Sequence, residues 1–166
     1  MRACACEQEA EICEGSMNAV RRPLDVEILA KPTRAGAAQL LDSAGLPSSD
    51  LTDAMLEHFF FIGAPSKPIA LVGLEVFEKV GLIRSLVVAP GARSNGAAWA
   101  LLGHAERYSS SRGVRELYLL TTTADNYFER HGYSRIARDA VPDSIRSTKE
   151  FAAICPATST IMVKAI

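Results

Sequence analysis

Residues 93–98 read Arg-Ser-Asn-Gly-Ala-Ala and stand between an apolar run, Leu86–Val87–Val88 with Pro90 behind it, and an Ala- and Leu-rich run. The pattern predicts a strand, a tight turn and the start of a helix. A helix N-terminus presents backbone N–H groups without intrahelical partners and about half a positive charge, which suits phosphate. Gly96 lets an anion approach the backbone and tolerates positive φ, and Arg93 adds a cation. Arg93, Ser94, Asn95, Gly96, Ala97 and Ala98 are therefore expected to cradle a pyrophosphate. The plain alternative is a capped helix after a proline turn. Two commoner phosphate loops do not fit: no Gly-Lys-Ser/Thr follows, and the single glycine of the cradle opens no G-x-G-x-x-G.

Other residues with chemical capacity are scattered. Glu75, in the strand-like "GLEVF", is the candidate general base, directly or through a water; the alternative is a carboxylate on a solvated sheet face. Tyr127 is the candidate acid, or a packing residue on a short helix. Thr121, Thr122 and Thr123 close a strand and could line a groove, although β-branched residues suit strands anyway. Arg84 and Arg146 could pair with a substrate carboxylate in bidentate fashion, or lie on the surface. Cys155 is expected to be an inert buried thiol. Cys4, Cys6 and Cys13 form C-x-C-x6-C, which matches no standard zinc spacing. They are read as part of a disordered extension, against the alternative of a soft-metalloid thiolate site. The three histidines share no ligand spacing, and no metal is expected.

The elements that must position these residues follow from periodicity and punctuation. Residues 25–31 read as a strand, and Thr33 opens a helix that ends at Gly45. A short helix is expected over 51–58 with Asp50 as its N-cap. Residues 59–63, 69–77 and 81–88 read as three strands of an antiparallel meander. The helix after Gly96 presents Ala98, Leu101, Leu102, Ala105 and Tyr108 on one face and stops at Gly113. Trp99 stands beside that face, as a packing residue or as a contact in a homodimer. Residues 114–122 read as a strand parallel to its predecessor, because a helix separates the two. A short helix closes at Gly132, and a strand, a helical run over 143–151 and a last strand complete the chain. The class is α+β, with a mixed central sheet of about 6–7 strands flanked by helices.

The chain has 166 residues, 48% of them hydrophobic, and a net charge of -1. One domain over 23–166 is expected, with 1–22 as an extension. The charge balance gives no basic field for nucleic acid. No apolar run reaches the roughly 18 residues of a membrane span. The acidic N-terminus lacks the apolar stretch of a signal peptide, so a cytoplasmic location is expected.

Together, these motifs resemble the GCN5-related N-acetyltransferase family. Its Q/R-x-x-G-x-G/A signature is matched by Arg93, Gly96 and Ala98. Its V-x-P segment is matched by Val88, Ala89 and Pro90, and its later aromatic pattern by Phe128, Glu129, Arg130, Gly132 and Tyr133. The resemblance spans about residues 25–166. It implies an acetyl-CoA-dependent N-acetyltransferase that acts by direct attack of a small-molecule primary amine, with amino-acid-like acceptors in view. It implies that Leu86, Val87 and Val88 pair with pantetheine through the main chain and that residues 93–98 hold the pyrophosphate. It also implies that Thr121, Phe128 and Arg130 border the cofactor. Ser94 stands where the family usually has glycine, Thr121 where many members have asparagine, and Phe128 where many have the tyrosine that protonates the departing thiolate. "LIRSLVVAP", "GVRELYLLTTTA" and "FERHGY" are further similar to N-acetyltransferases encoded in arsenic-resistance operons. A non-catalytic acetyl-CoA- or metalloid-binding module is the alternative, motivated by Phe128 and the cysteine-bearing tail.

Overall fold

The computed structural model describes residues 26–166. Cys4, Cys6 and Cys13 and the expected extension over 1–22 lie outside the described residues.

Among the described residues seven strands form one mixed sheet in the order β1-β2-β3-β4-β5-β7-β6. They are β1 (Leu29–Ala30), β2 (Phe59–Ala64), β3 (Lys67–Phe77), β4 (Val80–Val88), β5 (Glu116–Thr121), β6 (Ser134–Ile136) and β7 (Thr160–Ala165). The expected meander is β2-β3-β4, all antiparallel. Strands β4 and β5 are parallel, as the helix between them requires. The helices are α1 (Arg34–Ser43), α2 (Asp53–Leu56), α3 (Ala97–Ser111), α4 (Asp125–Arg130) and α5 (Asp143–Arg146).

Local chemistry explains most boundaries. The Thr33 hydroxyl accepts from Gly36 N–H at 3.1 Å and starts α1. Helix α2 begins behind Thr52, whose hydroxyl accepts from Met55 N–H at 3.3 Å. Asp50, the expected cap, is spent on a long-range contact described below. The run over 143–151 is not one helix. It forms the four-residue α5 and then a π-helical turn over Glu150–Ile154.

The sheet is covered on both faces. Helix α3 lays Ala98, Leu101, Leu102 and Ala105 against Val72, Leu74, Ile83 and Leu86, and Tyr127 and Phe128 of α4 join the same cluster. Each fully buried leucine contributes roughly 1.5–3 kcal/mol. On the other face, α1 and α2 pack over Phe59, Phe61, Leu71 and Val87. Ile145 and Phe151 pack over Leu82, Tyr118 and Leu120. Trp99 stays 44% exposed. Among the described residues no helix is long and apolar enough to cross a membrane.

Candidate active site

The site begins with a fault in β4. Arg84 pairs with Gly73 and Val87 with Leu71, so Ser85 and Leu86 together face the single residue Val72. This is a β-bulge, and Ser85 takes a left-handed φ of 56° to make it. The extra residue changes the phase of the strand. Leu82 lies in the cluster beneath α5, whereas Leu86 and Val88 join Ile83 in the cluster beneath α3.

The bulge also ends the contact with β5. The last parallel pair is Ile83↔Leu119. Beyond it β5 continues to Thr121 beside β7, while Arg84–Val88 continues, among the described residues, beside β3 alone. Two parallel strands thus part and leave a wedge edged by main-chain groups. Ala89 N–H donates to Ile69 C=O on β3 at 2.7 Å. By strand alternation, the N–H and C=O of Val88 therefore face the wedge. Arg93 Nε donates to that carbonyl at 3.3 Å, which ties the following loop to the strand end.

At the mouth of the wedge lies the loop picked out in the sequence. Pro90–Ala92 form a 3-10 turn, and Ser94 and Gly96 have φ of 66° and 76°. Gly96 is the N-cap of α3; no side chain caps the helix, and its first turn holds no acidic residue. Ala100 N–H reaches Gly96 C=O, so the amides of Ala97, Ala98 and Trp99 are left for another acceptor. Arg93 Nη2 is buried without a hydrogen-bond partner among the described residues. These features fit a pyrophosphate. Serine at 94 does adopt the conformation that favours glycine, at a cost of about 1 kcal/mol.

The remaining expected cofactor residues are placed less directly. The Thr121 hydroxyl accepts from Ala124 N–H at 2.9 Å and Thr123 N–H at 3.4 Å, and so shapes the turn from β5 into α4. Phe128 is fully buried, edge-on to Tyr127 and Tyr133. Arg130 is exposed at the end of α4. Tyr127 is buried against Phe128, and its ring stacks on His131 at 4.3 Å between centroids.

A pocket of about 280 Å³ opens on the sheet face opposite α3. Asp50, Thr52, Glu75, Arg84, Ser147 and Lys149 are among its lining residues. Arg84 is the first β4 residue past the last β4–β5 pair, so the pocket meets the start of the wedge. Its side chain is 1% exposed and holds three carboxylates: Asp50 at 2.7 Å, Glu75 at 2.9 Å and Glu150 at 3.1 Å. Arg84 is thus neither a surface residue nor open to a substrate carboxylate, as the sequence had suggested. Arg146, the other arginine considered, pairs with Asp143 on the surface.

Burial alone would lower the Arg84 pKa, but Glu150 and Asp50 outweigh it and raise it. Glu150 is pushed up to about 7, first by burial and then by the charges of Asp50 and Glu75, against the pull of Arg84. Glu75 keeps 20% side-chain exposure into this setting. Glu75 thus lies on a half-buried pocket wall and not on an open sheet face. No local signal pointed Asp50 or Glu150 to this site: one reads as a helix cap after a Ser-rich loop, the other lies in a helical run, and only the fold brings them to Arg84.

Comparison with known proteins agrees with this fold. The model of the acetyltransferase (GNAT) family matches residues 33–135. An amino-acid acetyltransferase of Serratia proteamaculans is 28% identical over 97 residues, which cover 57% of this chain and 22% of that protein. The chain thus spans about a fifth of the length of such relatives. Among solved structures, N-acetylglutamate synthase from Neisseria gonorrhoeae, complexed with coenzyme A and N-acetyl-glutamate, superposes with a TM-score of 0.70 at 21% identity, covering 84% of this chain and 35% of that one. Rv2747 from Mycobacterium tuberculosis, solved in complex with CoA, gives 0.68 at 18% identity and covers 84% of this chain and 99% of that one.

Proposed function

Because this chain belongs to the acetyltransferase (GNAT) family, we propose that it transfers an acetyl group from acetyl-CoA to the primary amine of a small, amino-acid-like molecule. The observation that carries the reading is the β4–β5 wedge, which runs from the Arg84 pocket to the uncapped start of α3. The co-substrate supplies an acetyl thioester. The amides of Ala97, Ala98 and Trp99, with Arg93, hold its pyrophosphate, and the main chain of Leu86–Val88 pairs with pantetheine as a further strand would. The Val88 N–H polarises the acetyl carbonyl as a fixed donor. Glu75 takes the proton of the acceptor's ammonium, directly or through a water. Holding both reactants across one wedge supplies the entropic part of the acceleration.

The test is thiol release from acetyl-CoA over a panel of amines and amino acids. The residue runs similar to arsenic-resistance-operon acetyltransferases are the reason to include phosphinothricin-like amino acids. Turnover with at least one primary amine is expected. CoA binding without turnover on any member would favour the non-catalytic alternative.

A further inference from the structure

The floor of the pocket has more acid than base. Asp50, Glu75 and Glu150 share the one cation Arg84. Even with a proton on Glu150, one carboxylate is left uncompensated. The other cation at the pocket, Lys149, is exposed at the rim, where water screens it.

A second observation bears on the same place. The Asp50 side chain is 6% exposed, and Oδ2 rests near Arg84 Nη2. Its other oxygen, Oδ1, is buried, and neither oxygen has a well-aligned hydrogen bond among the described residues, Oδ2 making only the ion contact with Arg84. A desolvated carboxylate oxygen without a donor is costly, more so when the group is charged. A cation in the pocket relieves that cost through the low-dielectric wall. An anion there would add a like charge to the surplus. Arg84, held on three sides, has no fork to offer it.

From the Asp50–Arg84–Glu75–Glu150 cluster and the orphaned Asp50 oxygen, we infer that Asp50 is a specificity-determining residue that makes the pocket select acceptors carrying positive charge over acceptors of the same shape carrying a carboxylate. The inference rests on the acetyltransferase reading and narrows its substrate class to cationic amines, such as diamines and basic amino acids. Asp50 acts through charge and takes no part in bond making.

Two probes of equal chain length separate the possibilities: 1,4-diaminobutane and 4-aminobutanoate. Wild-type protein should acetylate the diamine with at least tenfold higher kcat/KM, mainly through KM. Asp50→Asn should narrow that ratio at least fivefold, with the KM for acetyl-CoA unchanged and the fold retained by circular dichroism. Preference of the wild type for 4-aminobutanoate, or an unchanged ratio in Asp50→Asn, would overturn the inference. If Asp50→Asn does not fold, Asp50→Glu takes its place. It keeps the charge beside Arg84 and should keep the diamine preference, and a lost preference counts against Asp50's charge as the cause. If neither probe is turned over, each is titrated into CoA-loaded wild-type protein and followed by saturation-transfer NMR. Binding of the diamine alone supports the charge selection even where the acetyltransferase reading fails. Equal binding of both, or of neither, overturns it.

Discussion

Arg84 on β4 and Glu75 on β3 meet diagonally across the sheet, Nη1 to Oε1 at 2.9 Å, although the register sets Arg84 opposite Gly73 and Glu75 opposite Leu82. The diagonal is open because Gly73 has no side chain. A Cβ there would lie 2.4 Å from the Phe59 ring, so that ring fills the space opposite Arg84. The guanidinium then reaches Glu75, Asp50 and Glu150 together. It ties the loop before α2, strand β3 and the C-terminal π turn to β4.

Arg84→Met should destabilise the domain by about 3–5 kcal/mol, because the buried carboxylates of Asp50 and Glu150 and the partly buried one of Glu75 lose the cation they share. Urea unfolding at pH 7.5 measures this. Arg84→Met combined with Glu150→Gln should recover part of the loss, since one of the stranded charges is gone. A single-variant loss under about 1 kcal/mol would mean that the cluster does not hold the walls together.

Stability should fall as pH rises through the Glu150 window. The folded carboxyl binds its proton up to about 7, against an ordinary value of 4.5. Between these values the folded state holds a proton that the unfolded state releases, so unfolding free energy decreases with pH. The slope from this group is at most about 1.4 kcal/mol per pH unit and vanishes outside the window. Melting temperatures from pH 4.5 to 8 should show the decline, and Glu150→Gln should flatten it. An equal slope in both proteins would assign it elsewhere.

Gly96→Asp should abolish CoA binding while the domain stays folded. Its φ of 76° is accessible to aspartate at a cost of about 1 kcal/mol, but the side chain crowds the uncapped amides and repels phosphate. Calorimetry with CoA is the measurement, with circular dichroism for the fold. Unchanged affinity would remove the loop from the cofactor site.

Ser94→Gly should raise stability by about 1 kcal/mol, because Ser94 holds φ at 66° without a side-chain bond to compensate among those the structure shows. Cofactor affinity should stay within threefold, since the loop already has the required shape. Chemical denaturation and CoA titration on the same preparation check both statements.

Tyr127→Phe should lose less than about tenfold in kcat. Phe128 cannot give a proton, and Tyr127 packs between Phe128 and His131 in the core. A thiol of pKa near 8.5 leaves as a weak base and can take its proton from water. A positioned acid would be worth about 10² to 10⁴ in rate. A thousandfold loss, with the alkaline limb of the pH profile gone, would make Tyr127 the acid.

Local physics wrote much of this protein into its sequence. Three successive apolar runs separated by turns in 59–88 specified the meander, the 3.6 spacing of Ala98, Leu101, Leu102 and Ala105 specified the buried face of α3, and the helix between β4 and β5 made them parallel. The loop from Arg93 to Gly96 was legible because a cation, a glycine and a helix start are neighbours in the chain. The tertiary structure decided what depends on pairs far apart. The bulge at Ser85 arises from register against β3, and nothing in "LIRSLVV" announces it. The same bulge parts β4 from β5 and opens the wedge. Asp50, placed by sequence as a helix cap, became a buried partner of Arg84, because Thr52 caps α2 and the fold brings residues 50, 75, 84 and 150 to one point. Caps and periodicity act within a few residues; a buried charge is settled only when the rest of the chain closes around it.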